Sequence, residues 1–340
     1  MGLRDHVLGN TLIWVVLIGI SPSSAESDKI QESEALLARA RALADIRCEG
    51  CPSFQLKTRF RLVNVPNGPL EGSYNEFHHS PRQWRRVLQI PEWKYQAVEI
   101  REGDRIFRAA GSQYEPYFEF RLKHLLGGAS ELDELPRGEN LSIKRKNISG
   151  RSLACITRKG KKGKSEFCFE SDSGALASIK SGSGDYKNTY EYLHYVPHGE
   201  KQFPFHMRQK EQETVFLEVE VNELSVNTGL GPSLFVPPHN AGSWAHCDEP
   251  TKPEPIAVPG PRYPRDAWRA RHSGKVVIYI VVGPDGRVHN ATPVRAEYLS
   301  LAKASLDTIE RHWLFKPAAC GDNPVPLSIF VETEFHLLRR

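Results

Sequence analysis

The sequence predicts an α+β protein: a curved, half-barrel-like antiparallel β-sheet with helices, a Pro-rich linker, and a C-terminal αββαβ domain with a three-stranded antiparallel sheet. Three patterns predict this class: many short strand-like runs up to about residue 225, a proline-dense segment after them, and alternating strand and helix patterns in the last quarter. The predicted parts are residues 1–25, 26–231, 232–261 and 262–340.

Length and charge narrow the class of protein. With 340 residues, 39% of them apolar, the chain is long enough for two domains that each bury a core. Its 45 basic and 41 acidic residues are dispersed and give a formal charge of +4. We therefore expect no nucleic-acid partner.

The N-terminus reads as a signal peptide. Arg4 is its basic end, residues 12–18 are the apolar run, and Ser23-Ser24-Ala25 is a small-residue cleavage site. We expect export and cleavage after Ala25. A membrane-spanning helix needs about 20 apolar residues, so a retained anchor through residues 7–20 is the alternative.

Six cysteines in an exported chain favour disulfides, with fifteen conceivable pairings. Cys155 and Cys168 lie on two strand-like runs joined by a Gly/Lys-rich turn, which favours a bridge within that hairpin. Cys48 and Cys51 would close a tight local loop, which leaves Cys247 with Cys320. Cys48-x-x-Cys51 also has the spacing of redox and zinc motifs, but it lacks a βαβ context and a second ligand pair. We predict no metal and no cofactor.

The first domain combines helical and strand patterns. Residues 32–44 have helical character, which ends at Cys48-Glu-Gly-Cys51-Pro52, and a second helix is predicted over residues 116–126. Predicted strands cover residues 54–63, two runs within 93–109, 141–148, 153–158, 167–169, 176–179, 186–196, 203–209 and 215–224. Polar residues at alternate positions indicate an antiparallel sheet with one face toward water and a helix or two on the other.

Residues 232–261 contain repeated prolines, which predict an extended linker without regular structure. At about 3.1 Å per residue in polyproline form, the linker would be at most roughly 90 Å long.

The last quarter has the clearest pattern. Residues 264–271 predict a short helix, residues 274–282 a strand, Gly283-Pro284-Asp285-Gly286 a turn, and residues 287–295 the return strand. Residues 298–313 predict a helix that ends before Pro317, and the last strand alternates apolar and polar residues. The predicted buried stripe of that helix is Leu299, Ala302, Leu306, Ile309 and Trp313.

These residues carry a resemblance to a known family. Tyr263-Pro264, Ala267, Gly274-x-Val276, Asp285-Gly286-Arg287-Val288, Trp313-x-Phe315-x-Pro317 and Gly321-x-x-Pro324-Val325 resemble the C-terminal domain of the energy-transducing protein TonB over residues 263–338. The resemblance implies a periplasmic domain that captures an extended peptide from the plug of an outer-membrane transporter, or from another envelope protein, as an added strand. The implied partner-binding residues are Tyr263, Pro264, Leu327, Ile329, Val331, Thr333 and Phe335.

Two alternatives concern how such a domain is used. A second copy of the domain could cover the same strand edge and form a homodimer. An energised transducer of this family would keep an inner-membrane helix bearing a Ser and a His on one face, and residues 12–20 contain no such pair. We therefore expect a docking protein rather than a transducer.

The first domain resembles lipoprotein-carrier-like half-barrels through Gly72-Ser-Tyr74, Trp84-Arg85-Arg86-Val87 and Phe167-Cys168-Phe169-Glu170. The resemblance implies a carrier of lipid or another apolar ligand, with a lining from Phe60, Leu62, Trp84, Val98, Ile100 and Phe107. The alternative is that these side chains are ordinary core. A nucleophile elbow, a phosphate loop and a zinc-protease helix are all missing from the sequence, so we do not expect an enzyme.

Overall fold

A computed structural model describes residues 24–65, 68–128, 132, 141–148, 150–160, 163–183, 186–227 and 229–337. The basic end and the apolar run of the predicted signal peptide lie outside these residues, as does Leu338. Among the described helices, none combines the length and the apolar character that crossing a membrane requires.

The first part of the chain forms one large antiparallel sheet, on which α1 (Ser24–Ala44) and α2 (Tyr117–Leu126) pack. The strands lie in the order β13-β5-β4-β3-β2-β1-β12-β11-β10-β9-β8-β7-β6. Their bounds are β1 (Phe54–Leu62), β2 (Leu70–Ser80), β3 (Gln83–Ile90), β4 (Tyr95–Glu102), β5 (Arg105–Ala110), β6 (Leu141–Ile148), β7 (Arg151–Gly160), β8 (Gly163–Glu170), β9 (Leu176–Ser183), β10 (Tyr186–His198), β11 (Lys201–Glu211), β12 (Thr214–Val226) and β13 (Gly242–Ala245).

The main core lies on the inner face of this sheet, under both helices. In β1, Phe54, Leu56, Phe60 and Leu62 are almost fully buried, and they join Leu122 and Leu125 of α2 in one cluster. The period of two along a strand places these side chains on one face. The sheet was correctly predicted, but β2 and β3 were not among the predicted strands.

The predicted linker is more ordered than expected. Residues Pro232–Phe235 form a 3-10 helix, β13 pairs with β5 at the edge of the large sheet, and β14 (Glu254–Ala257) pairs with β17 (Leu314–Lys316). Prolines are tolerated in edge strands because one side of an edge strand needs no ladder donors. The segment therefore lies against both folded parts instead of spanning free solvent.

The C-terminal part is a three-stranded antiparallel sheet in the order β16-β15-β20, with a helix packed on one face. Its elements are α3 (Arg265–Arg269), β15 (Gly274–Val282), β16 (Val288–Ala296), α4 (Leu299–His312), β17 (Leu314–Lys316), β18 (Ala318–Cys320), β19 (Asn323–Val325) and β20 (Leu327–Phe335). The predicted αββαβ order is confirmed, with a small β18–β19 hairpin before the last strand.

The buried stripe of α4 differs from the predicted one. Leu299 is 70% exposed, and the buried residues are Leu301, Ala302, Ser305, Thr308 and Ile309. The two polar members are buried because their hydroxyls donate to backbone carbonyls one turn earlier, at 2.9 Å for Ser305 and 3.0 Å for Thr308.

Gly286 fixes the turn between β15 and β16. Its φ is +74°, and a Cβ there would lie 2.1 Å from the backbone oxygen of Phe315. The Phe315 amide donates to the Gly286 carbonyl at 2.9 Å. Only glycine allows this close approach of the β17 backbone.

Candidate functional site

The outer strand of the C-terminal sheet has one open side. β20 pairs with β15 along its whole length, from Gly274↔Phe335 to Val282↔Leu327. Within the described part of the chain, no strand pairs with the other side of β20. This side therefore presents a row of backbone N–H and C=O groups, which is the template that strand addition requires.

The predicted partner-binding residues of β20 have their side chains on the inner face of the sheet, next to this open edge. Thr333 and Phe335 are buried, and Leu327, Ile329 and Val331 are partly buried. Ile329, Val331 and Phe335 pack in the core under α4, and the Thr333 hydroxyl is 2.7 Å from that of Ser305. The side chains thus anchor the strand, and its backbone forms the open side.

Phe330 is an exposed apolar residue of β20 that the sequence patterns did not single out. It is 50% exposed and lies on the outer face of the sheet, where it pairs in register with Tyr279. An aromatic residue among Ser328, Glu332 and Glu334 was the available signal, and its ring packs against Phe120 and Tyr117 of α2, with ring centroids 5.7 and 6.3 Å apart.

Two acidic side chains follow Phe330 on the outer face. Glu332 forms an ion pair with Lys275 at 2.6 Å, and Glu334 lies 3.3 Å from the His336 ring. Charged residues on an edge strand disfavour uncontrolled pairing between copies. The edge is therefore open but charged.

Tyr263 and Pro264 lie near the C-terminal end of β20. The Tyr263 ring packs edge-on against Phe335, with ring centroids 5.4 Å apart, and its hydroxyl donates to the His272 carbonyl. Pro264 immediately precedes α3 in an extended conformation. The structure therefore brings Tyr263 together with the last residue of the open strand.

The outer face of the C-terminal sheet packs against α2 of the first domain. Tyr279 and Val281 of β15 join Tyr114 in a buried cluster, with Tyr117 and Phe120 around it. The Asn290 side-chain amide donates to the Tyr114 carbonyl at 2.6 Å, and the Ser112 hydroxyl donates to the Asn290 side-chain oxygen at 2.9 Å. The two domains therefore share an interface with an aromatic centre and polar contacts.

The six predicted ligand-lining residues do not lie together. Phe60 and Leu62 belong to the inner core, and Trp84 lies on the same face beneath the Arg86 guanidinium. Val98, Ile100 and Phe107 lie on the opposite face, where Leu230, Leu234 and Phe235 cover them. The six side chains therefore lie on two faces of the sheet, because residues 230–235 bury the outer face of β4 and β5.

The inner face of β2 to β5 carries a row of charges among its apolar side chains. Glu76, Arg86, Glu99 and Arg108 are successive register neighbours across these strands, with alternating sign. Each can therefore attract the charge on the next strand.

Partners from the helices and from the segment after α1 complete this charged ladder. Arg47 forms an ion pair with Glu76 at 2.7 Å, and Arg108 forms one with Glu119 of α2 at 2.7 Å. Lys123 of α2 contacts Glu99 and Glu115, each at 2.8 Å. The network ties α2 to the sheet.

Burial and pairing oppose each other in this network. Burial alone would raise the pKa of Glu76, but Arg47 and Arg86 hold that pKa well below its usual range. Burial would lower the pKa of Lys123, but the surrounding glutamates hold it well above its usual range. Both groups therefore stay charged inside the protein.

The structure joins the three cysteine pairs that the sequence favours: Cys48–Cys51, Cys155–Cys168 and Cys247–Cys320. Among the described residues, Cys155, Glu166 and Cys168 are the one group with ligand atoms close enough for a metal ion. Both sulfur atoms of that group are bonded to each other, so neither is available as a thiolate ligand.

Three features together point to a family: the open side of β20, Tyr263-Pro264 near its C-terminal end, and the αββαβ order. Residues 259–337 match the family model of the Gram-negative bacterial TonB protein C-terminal. The solution structure of the Pseudomonas aeruginosa TonB C-terminal domain is similar, with 22% identity, 26% of this chain and 91% of that chain covered, and a TM-score of 0.23. The predicted resemblance to the TonB C-terminal domain is confirmed.

Other solved structures resemble the chain outside the TonB C-terminal domain. A LolA superfamily protein from Nitrosomonas europaea has 9% identity, with 60% of this chain and 96% of that chain covered and a TM-score of 0.37. A putative outer membrane lipoprotein-sorting protein domain from Vibrio parahaemolyticus has 12% identity, with 62% and 97% covered and a TM-score of 0.37. Among curated protein sequences, none is significantly similar to this chain.

Proposed function

We propose that this protein is a periplasmic, TonB-like docking protein associated with transport across the outer membrane. Its C-terminal domain captures an extended segment of a partner, such as the plug peptide of an outer-membrane transporter, as an added strand on β20. The observation that carries the proposal is the open side of β20 in a segment matched by the TonB family model.

The surroundings of β20 favour a particular kind of partner strand. Main-chain hydrogen bonds supply affinity in strand addition, and the side chains opposite supply selectivity. On the outer face, a partner residue beside Glu332 or Glu334 meets a carboxylate, and one beside Phe330 meets an aromatic ring. We expect a partner segment with basic residues at alternate positions.

Three disulfides support a location in an oxidising compartment, because such bonds persist outside the reducing cytoplasm. A cleaved signal peptide over residues 1–25 remains a prediction. So do the two alternatives, an anchored energy transducer held through residues 7–20 and a carrier of apolar ligands. The carrier loses part of its support because its predicted lining is split between two faces of the sheet.

Proline substitution tests strand addition. Successive N–H groups of a strand point to opposite edges, so one of Val331→Pro and Glu332→Pro removes a donor from the open side, and the other breaks a bond to β15. Binding of fluorescein-labelled transporter plug peptides to the full chain is measured by fluorescence anisotropy. We expect the variant that lacks a donor on the open side to bind the plug peptides about tenfold more weakly, with thermal unfolding unchanged.

The matched control is Glu332→Gln, which removes the charge of an exposed side chain and keeps its N–H. We expect a smaller loss of peptide affinity than in the proline variant, because only the contact between the carboxylate and a basic partner residue is removed. Unchanged affinity in both proline variants would exclude strand addition at this edge.

A further inference from the structure

A cavity of about 400 Å³ lies between α1, α2 and the inner face of the large sheet. Its wall is unusual for the inside of a half-barrel, because it contains four cationic side chains. These are Arg41, Arg47, Arg86 and Lys123, and Asp45 is the one carboxylate among the lining residues. A volume in this range accommodates a small-molecule ligand.

The carboxylates that pair with these cations lie behind the wall. Glu76 is fully buried and accepts hydrogen bonds from Arg47, at 2.9 Å from Nε and 2.7 Å from Nη2. Glu115 and Glu119 contact Lys123 at 2.8 and 3.0 Å. None of these three glutamates is a lining residue. The cations of the network therefore line the cavity, and their carboxylate partners do not.

Arg86 has hydrogen-bonding capacity left. Its Nη2 lies 3.5 Å from a Glu76 oxygen, and among the described residues its buried Nε has no hydrogen-bond partner. Its guanidinium lies 4.0 Å above the Trp84 ring, which holds the group in place. A guanidinium with free donors matches the two oxygens of a carboxylate or phosphate.

The rest of the wall is largely apolar and aromatic. Leu125 and Leu126 come from α2, and Leu176 and Phe203 come from β9 and β11. Tyr192 approaches the backbone at Gly128, where a Cβ would lie 2.4 Å from its hydroxyl. The cavity thus offers cationic donors and an apolar surface to the same occupant.

We propose that this cavity binds a single-chain amphiphile with an anionic oxygen headgroup, a carboxylate or a phosphate. Arg86 and Arg47 hold the headgroup, and the leucines beside them contact the hydrocarbon chain. This occupant differs in charge from the apolar ligand that the sequence predicts, and the proposal does not depend on strand capture by β20.

Titration calorimetry with the full wild-type chain tests the chemistry without any variant. The probes are dodecyl phosphate below its micelle concentration, dodecyltrimethylammonium with the same chain and opposite charge, and inorganic phosphate. We expect the first to bind at least tenfold more tightly than the other two. Affinity should also rise from butyl to octyl phosphate, by up to about fourfold per buried methylene.

Three results in this series would overturn the proposal. Equal binding of the cationic amphiphile would remove the role of the cationic wall. Equal binding of inorganic phosphate would reduce the site to a free-anion site with no role for the leucines. Absence of dodecyl phosphate binding would also exclude the proposed ligand.

Arg86→Gln locates the site. Arg47 still pairs with Glu76 in this variant, so no buried carboxylate loses its only partner. We expect about ten- to a hundredfold weaker binding of dodecyl phosphate. The thermal unfolding midpoint should fall modestly, because Glu76 keeps Arg47 but loses Arg86, and binding is measured below that midpoint. The control is Arg59→Gln, which removes an exposed arginine from β1. Equal affinity in the two variants would show that the ligand binds elsewhere.

Discussion

The hydroxyl of Tyr279 donates a hydrogen bond of 3.1 Å to the backbone carbonyl of Glu115, 164 residues earlier in the chain. Tyr279 is fully buried in β15, and its ring lies 5.3 Å from that of Tyr117 and 5.2 Å from that of Phe120. Since α2 packs on the large sheet and β15 is central in the C-terminal sheet, this side chain joins the two domains.

Replacing Tyr279 should separate the contributions of its hydroxyl and its ring. We expect Tyr279→Phe to lower the free energy of unfolding by about 1 kcal/mol and Tyr279→Ala by about 3 to 5 kcal/mol. The core under α4 stays intact because Tyr279 lies on the other face of β15. Urea unfolding of the full chain measures both. The control is Ile256→Ala, at a side chain that is 64% exposed, and it should change the free energy of unfolding little. An equally small effect of Tyr279→Ala would contradict the interface.

Glu119 should make stability depend on pH. Burial would raise its pKa, but Lys123 and Arg108 outweigh burial and lower the pKa from 4.5 to about 2. Because the folded-state pKa is depressed, this contribution to stability is fully present above the unfolded pKa and is lost as pH falls toward 2.

The variant Glu119→Gln removes this contribution. At pH 7 we expect it to cost about 3 to 5 kcal/mol, since Arg108 and Lys123 lose a buried partner. The difference from wild type should shrink as pH falls from about 4.5 toward 2, as measured by urea unfolding at several pH values. Glu71→Gln, at an exposed position of β2, serves as the control. A difference independent of pH would contradict the assigned charge.

The Cys247–Cys320 bond should stabilise the chain more than Cys48–Cys51. The first pair is 73 residues apart and the second pair 3, and a disulfide that closes a longer loop removes more entropy from the unfolded chain. We expect the double serine variants to lose about 4 and about 2 kcal/mol, respectively. Limited proteolysis should also cleave residues 248–258 faster without Cys247–Cys320. Equal cleavage in both variants would contradict this role.

Much of the C-terminal domain follows from its sequence because short-range patterns determine its elements. The predicted strand over residues 274–282 has the observed bounds of β15, and the alternation from Leu327 to Phe335 identifies β20. The buried face of α4 was harder to predict. Ser305 and Thr308 satisfy their hydroxyls within the helix and so can be buried, whereas Leu299 lies exposed at its first turn.

The faces of the large sheet could not be assigned from alternation alone. Glu76, Arg86, Glu99 and Arg108 are charged, yet they lie inside because each finds a partner of opposite charge on the next strand. Val98 and Ile100 face outward because a distant segment covers them. A period of two distinguishes two faces but does not say which one is covered.

The segment between the domains is fastened by β13, by β14 and by the Cys247–Cys320 bond. A flexible connector would let a strand explore a volume set by the connector's length, and so would fix its effective concentration near a membrane-bound partner. Here β20, the strand on which we propose capture, stays beside the first domain. Under that proposal, the chance of meeting a partner is set by diffusion of the whole protein, and a partner segment must extend toward β20.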